Sequence, residues 1–168
     1  MKHKPSQSHW RDLPESARAF TARHTGHLAE SLLKYAGKEL VSEWRSRAAG
    51  VLAQDVFYSD FVLLSHGTEL DPVLNYGNFS ALELWGMPWK EFTRMPSRLT
   101  AEPDQWEDRA ELLRAVERDG HACAQRESRI TAAGTRFQIK EITIWRVDGP
   151  QGERAGIAAM FDDWEFLK

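Results

Sequence analysis

The chain has 168 residues, a formal net charge of −3 and a single cysteine, Cys123. This length suits one domain with an extra segment, and the mixed-sign charges leave no basic footprint for nucleic acid. One cysteine excludes a disulfide framework or a Cys-rich zinc site, and no apolar run reaches the ~20 residues of a membrane span.

Met1–Lys4 is basic, but the polar Pro5–Arg11 stands where a signal peptide would carry its apolar stretch, so a reduced, cytoplasmic location is expected. Residues 1–12 read as a flexible tail and 13–59 as a helical extension. Within it, Ala17, Phe20 and His24 form one stripe and Leu28, Leu32 and Tyr35 another, with Gly26 between them and Gly37 at the end. A second helix is predicted over Glu43–Gln54, capped by Ser42, with Trp44, Ala48 and Val51 facing in.

At Phe61 the pattern changes. FVLLS is a short apolar run that suits a strand buried on both faces, and HGTELDP is a turn before a second strand, VLNY. NYGNFSALELWG then carries the chain into a helix. Asn78 is the N-cap, Ala81, Leu82, Leu84 and Trp85 form the apolar face, and Gly86 closes it. A short helix, PWKEF, precedes an irregular MPSRLTAEP segment. Pro103 opens a longer helix that ends at Gly120, with Trp106, Ala110, Leu113 and Val116 on one stripe.

The last third reads as three hairpin-linked strands, HACAQRESRI, RFQIKEITIWRV and AGIAAMFDD. In the second, Phe137 and Ile139 have the opposite parity to Ile142 and Ile144, which predicts a bulge near Lys140-Glu141 or two covered faces. The class is α+β: a five-stranded antiparallel sheet with helices on one face, preceded by N-terminal helices.

This order resembles the PAS superfamily. More narrowly, LLSHGTELDPVLNYGNFSALELWGM, WKEFTRMPSRLTAEP and RITAAGTRFQIKEITIWRVDGPQGERAG resemble the MEKHLA family of PAS-like domains, which places a PAS-like unit at 60–168. Asn78, Gly86 and Gly120 stand where such domains show capping and turn residues. The resemblance implies a stand-alone sensory or protein-interaction module with a regulatory role. It supplies no catalytic residues, and the role of plant members in homeodomain–leucine zipper regulators is not carried over.

The residues themselves suggest several sites. Arg98, next to where PAS domains hold ligands, could clamp a carboxylate. It reads first as structural, paired with Glu102 or Glu83, with Arg98→Ala costing about 1–3 kcal/mol. His66, Tyr76, Trp85, Trp89 and Trp145 are further candidates for the wall of a small-molecule cavity, although the rings would equally serve as core. Neither His66 nor the pair His24 and His27 has the companions a metal site needs. No metal, haem or flavin is therefore expected, while a small organic ligand is allowed. The alternative is a small α+β enzyme using His66 or Cys123. An apolar outer sheet face would need a cover, so the N-terminal helices are expected there, with Phe20, Leu28, Leu32, Trp44, Ile142 and Ile144 as interface candidates in a homodimer or partner contact.

Overall fold

A computed structural model describes residues 9–168. Residues 1–8 of the expected tail lie outside the described residues. The rest of that tail is not free. Trp10–Asp12 form a 3-10 turn, the Trp10 ring meets Phe57 edge-on at 5.6 Å, and the Trp10 amide donates to Tyr58 Oη at 2.9 Å.

Helix α1 spans Glu15–Ala36 without a break at Gly26 and ends at Gly37 in the left-handed region, φ 66°. The second predicted helix is displaced: a 3-10 turn covers Trp44–Ser46, and α2 covers Ala49–Phe57. Its buried face is Leu52, Ala53, Val56 and Phe57, whereas Val51 is exposed and Ser42 caps nothing. The Glu43 backbone, at φ 53°, turns the chain into the Trp44–Ser46 turn.

Strands β1 (Val62–His66) and β2 (Leu74–Gly77) pair antiparallel. Asn78 then caps α3 (Phe79–Trp85), accepting from the Ala81 amide at 3.1 Å. The same side chain accepts from Leu63 N at 3.0 Å and donates to Phe61 O at 2.8 Å, so this fully buried amide ties the helix start to β1. Gly86 closes the helix at φ 70°. α4 (Trp89–Phe92) follows, then a 3-10 turn at Ser97–Thr100. A second, opened by Pro103, leads into α5 (Trp106–Asp119), which Gly120 terminates.

β3 (His121–Ile130), β4 (Arg136–Asp148) and β5 (Arg154–Phe161) complete a sheet of order β2-β1-β5-β4-β3. A sixth strand not foreseen in the sequence, β6 (Trp164–Phe166), continues along the same edge of β4 after a break at Asp162-Asp163. The parity conflict in β4 is real. Lys140 and Glu141 are both exposed, and Ile139, Ile142 and Ile144 all line one interior cavity. Between the pairs Glu127↔Ile139 and Gln125↔Glu141, Arg126 adopts φ 59°, so β3 bends with β4 and their register stays in step.

α3 and α5 cover one face of the sheet. α1 covers the other: Trp145 Nε1 donates to Leu28 O at 3.2 Å, and Ser31 Oγ accepts from the Asp148 amide at 2.9 Å. Lys34 and Tyr35 both donate to Asp148 Oδ2 at 2.7 Å. His24 Nε2 donates to Ser65 Oγ at 2.8 Å, because the Ser65 hydroxyl is already given to Asn75 Oδ1.

The cover is therefore internal. Leu28, Leu32 and Trp44 lie in the chain's own core, and half-buried Phe20 stacks on His24 at 4.7 Å. Ile142 and Ile144 face inward, so they are walls of the interior and do not form an outer interface. The apolar outer face that called for a second copy is already filled by α1.

Candidate ligand site

The inner face of the sheet meets α3, α5 and the Ser97–Thr100 turn around a cavity of about 50 Å³. Leu64, Ile142, Ile144 and Ile157 supply its apolar floor, and the half-buried Leu112 and Leu113 its helical side. Polar side chains break this lining: His66 and Trp85, the hydroxyls of Ser65, Ser97 and Thr100, Arg109 from α5 and Arg129 from β3.

His66 Nδ1 is 2.9 Å from Gly67 O. A carbonyl only accepts, so Nδ1 carries the proton. Burial pushes the ring's pKa below its ordinary value, and the charges of Arg109 and Arg154 add to this against the opposing bond to Gly67. The neutral ring leaves Nε2 a buried acceptor with no partner. Trp85 Nε1 is its counterpart, a buried donor without a partner. The indole is held by edge contacts to Phe92, Phe137 and Phe161.

Arg109 Nη2 donates to Ser97 Oγ at 2.8 Å, and no carboxylate pairs with this guanidinium among the described residues. Burial, then the charge of Arg129, brings its pKa down to about 10, so it stays cationic at neutral pH. Arg129 is 7% exposed, donates to Ser128 O at 2.7 Å and pairs with Glu127 at 3.1 Å. Burial lowers its pKa too, against the raising effect of Glu127. Of the two guanidinium groups, only Arg129 has a carboxylate in direct contact; Asp71, bound to Arg98, acts on Arg109 through its charge alone.

Several sequence candidates lie elsewhere. Arg98 is at the surface, pairing through Nε with both Asp71 oxygens at 3.2 Å and lying over the Trp106 ring at 5.0 Å. It pairs with neither Glu102, which is bound to Arg136, nor Glu83. An exposed pair of this kind is worth ~0–1 kcal/mol, so the expected 1–3 is too large. Urea melts of Arg98→Ala should stay within about 1 kcal/mol of the parent; a larger loss would show that the Trp106 contact matters more than the ion pair.

Tyr76 is buried outside the cavity, 5.9 Å from Trp89 and 6.0 Å from His24. Trp89 lines a separate open groove of about 790 Å³ with Phe20, Lys90 and Arg94. Trp145 lies under α1, on the far side of the sheet from the cavity. Of the proposed cavity residues, only His66 and Trp85 line the pocket. Cys123 is exposed on β3, with its sulfur 3.9 Å from Thr143 Oγ1. No group of three or more His, Cys, Asp or Glu among the described residues could hold a metal ion. No helix among them is long and apolar enough to cross a membrane.

The two arginines were missed in the sequence, yet each had a signal. Arg109 precedes Leu112, Leu113 and Val116 at spacings of 3, 4 and 7, on the inward, half-buried stripe of α5. Arg129 pairs with the buried Phe137 across the β-ladder.

A five-stranded antiparallel sheet in this order, with helices after the second strand closing over a cavity, defines a PAS-like fold. The PAS domain of a protein from Colwellia psychrerythraea matches with a TM-score of 0.57 at 16% identity, over 68% of this chain and 92% of that one. A variant of Vivid (VVD) matches with a TM-score of 0.50 at 15% identity, over 61% and 81%. The chain belongs to the MEKHLA domain family, whose description matches residues 22–166, beginning inside α1. No curated protein matches it in sequence.

Proposed function

We propose that this domain is a regulatory sensor that binds a small molecule in the cavity under α3 and α5 and does not turn it over. The observation that carries the reading is that two of the four buried side-chain atoms without a partner among the described residues, His66 Nε2 and Trp85 Nε1, belong to residues that line one cavity. Buried polar groups are almost always satisfied, and an occupant satisfies both. A binding role is favoured over catalysis because no nucleophile or acid is paired with His66 Nε2 among the described residues and Cys123 lies outside the cavity. The space is far below the ~300–1,000 Å³ of drug-sized sites, which favours a small occupant.

Native mass spectrometry of the freshly purified protein should show a low-mass adduct that is lost on denaturation. Ala159→Leu, which fills the cavity from β5, should keep the far-UV spectrum and abolish the adduct. A bare wild-type mass, combined with an unchanged melting temperature across a panel of small metabolites, would refute the reading.

A further inference from the structure

Resting on that reading, we propose that the occupant is a short α-hydroxy carboxylate, its carboxylate held by Arg109 and Arg129 and its hydroxyl donated to His66 Nε2. Each feature of such a molecule answers a feature of the wall. Arg129 already has Glu127, whereas Arg109 has only a serine hydroxyl. A half-buried, incompletely paired guanidinium loses hydration without full compensation, and an anion in the cavity relieves it. Guanidinium groups also present their donors in a planar fork that suits carboxylate oxygens.

The remaining two atoms refine the class. His66 Nε2 is a lone acceptor, so the occupant must offer it a donor. An ammonium would supply one but would add a third positive charge beside Arg109 and Arg129, so a hydroxyl is the better match. Trp85 Nε1 requires an acceptor, which a second carboxylate oxygen provides. Size limits the carbon skeleton. At ~10–15 Å³ of this cavity space per water, about 50 Å³ holds a few waters, and the half-buried Leu112 and Leu113 are the walls able to yield for a few more atoms.

The test uses the full chain and three probes of nearly equal size: lactate, propionate and lactamide. Calorimetric titration and amide chemical-shift mapping should give the tightest binding for lactate, with shifts clustered on β1, β5 and α5. Propionate, which lacks the hydroxyl, and lactamide, which lacks the charge, should each bind at least about tenfold more weakly. Arg109→Gln should remove the preference of lactate over lactamide while leaving lactamide binding in place. Lactamide binding as well as lactate would overturn the carboxylate assignment but leave the cavity as a binding site. Propionate matching lactate would overturn the role given to His66. Absence of binding by all three probes would overturn the proposal, and the adduct experiment on the purified protein would then decide separately whether the cavity is a site at all.

Discussion

Gly156→Ala is expected to destabilise the protein by about 3 kcal/mol or more, the largest effect of any single methyl group added here. Gly156 lies in β5 at φ 147°, a conformation in which side chains are strained. A Cβ at this position would overlap the carbonyl oxygen of His66 on the neighbouring strand. That oxygen is backbone, and the adjoining pair His66↔Ile157 holds the two strands in register, so neither can retreat cheaply. The damage also reaches the cavity, because His66 is part of its wall. Gly26→Ala is the matched control: it lies within α1 with open space around its Cβ position, and alanine there should stabilise by about 0.5–1 kcal/mol. Denaturant melts of the two variants should move in opposite directions. A Gly156→Ala midpoint near that of the parent would mean that the close approach of β1 and β5 is soft.

Stability should also fall in two stages on acidification. His24 is buried under α1, and burial, assisted by the charge of His27, lowers its pKa from 6.5 to about 4. The unfolded chain binds this proton more readily, so stability rises with pH across the window from about 4 to 6.5 and is lost as pH falls through it. At 1.36 kcal/mol per unit, this one group accounts for about 3 kcal/mol. His66, also lowered by burial, acts in the same direction. Asp148 controls the second stage. Burial raises its pKa, but hydrogen bonds from Lys34 and Tyr35 and the charge of Arg146 outweigh this and hold the carboxyl below its usual value. Its contribution is present above the ordinary carboxylate range and is lost as pH falls below it. Equilibrium unfolding from pH 7 to pH 3 should show both slopes, and His24→Phe should flatten the first while leaving the second. An unchanged slope in that variant would assign the first stage to another group.

Most of the architecture was readable because local chemistry and tertiary packing agree. Asn78, Gly86 and Gly120 mark element ends by mechanisms that act within a few residues, and they sit as the sequence predicted. The strand patterns were equally direct. The failures have a common cause, which is that the deciding partner is remote in sequence. Ser42 and Val51 form a convincing helix start in isolation, yet the burial of Leu52, Val56 and Phe57 moves α2 downstream. Trp145 and Tyr76 were placed by their aromatic character, but which face a strand residue serves depends on register. At Lys140-Glu141 the face changes partway along β4, so parity counted from one end misassigns the other. The site was partly visible through His66 and Trp85. Its cationic side was obscured because an arginine on an apolar stripe resembles an ordinary solvated residue until the fold closes over it.

The placement of α1 across the sheet sets how slowly the interior meets solvent. Strands β1, β5 and β4 have bonded neighbours on both edges, and protein covers both faces. Their amide hydrogens can exchange with water only when the sheet itself opens, on the time scale of global unfolding. The outer edge of β2 is partly closed by the bond from Leu74 N to Met95 O, whereas β3 leaves one edge unpaired in the sheet and shows several exposed residues. Exchange is thus slow through the middle of the domain and faster along β3, the margin on which Arg129 stands beside the cavity.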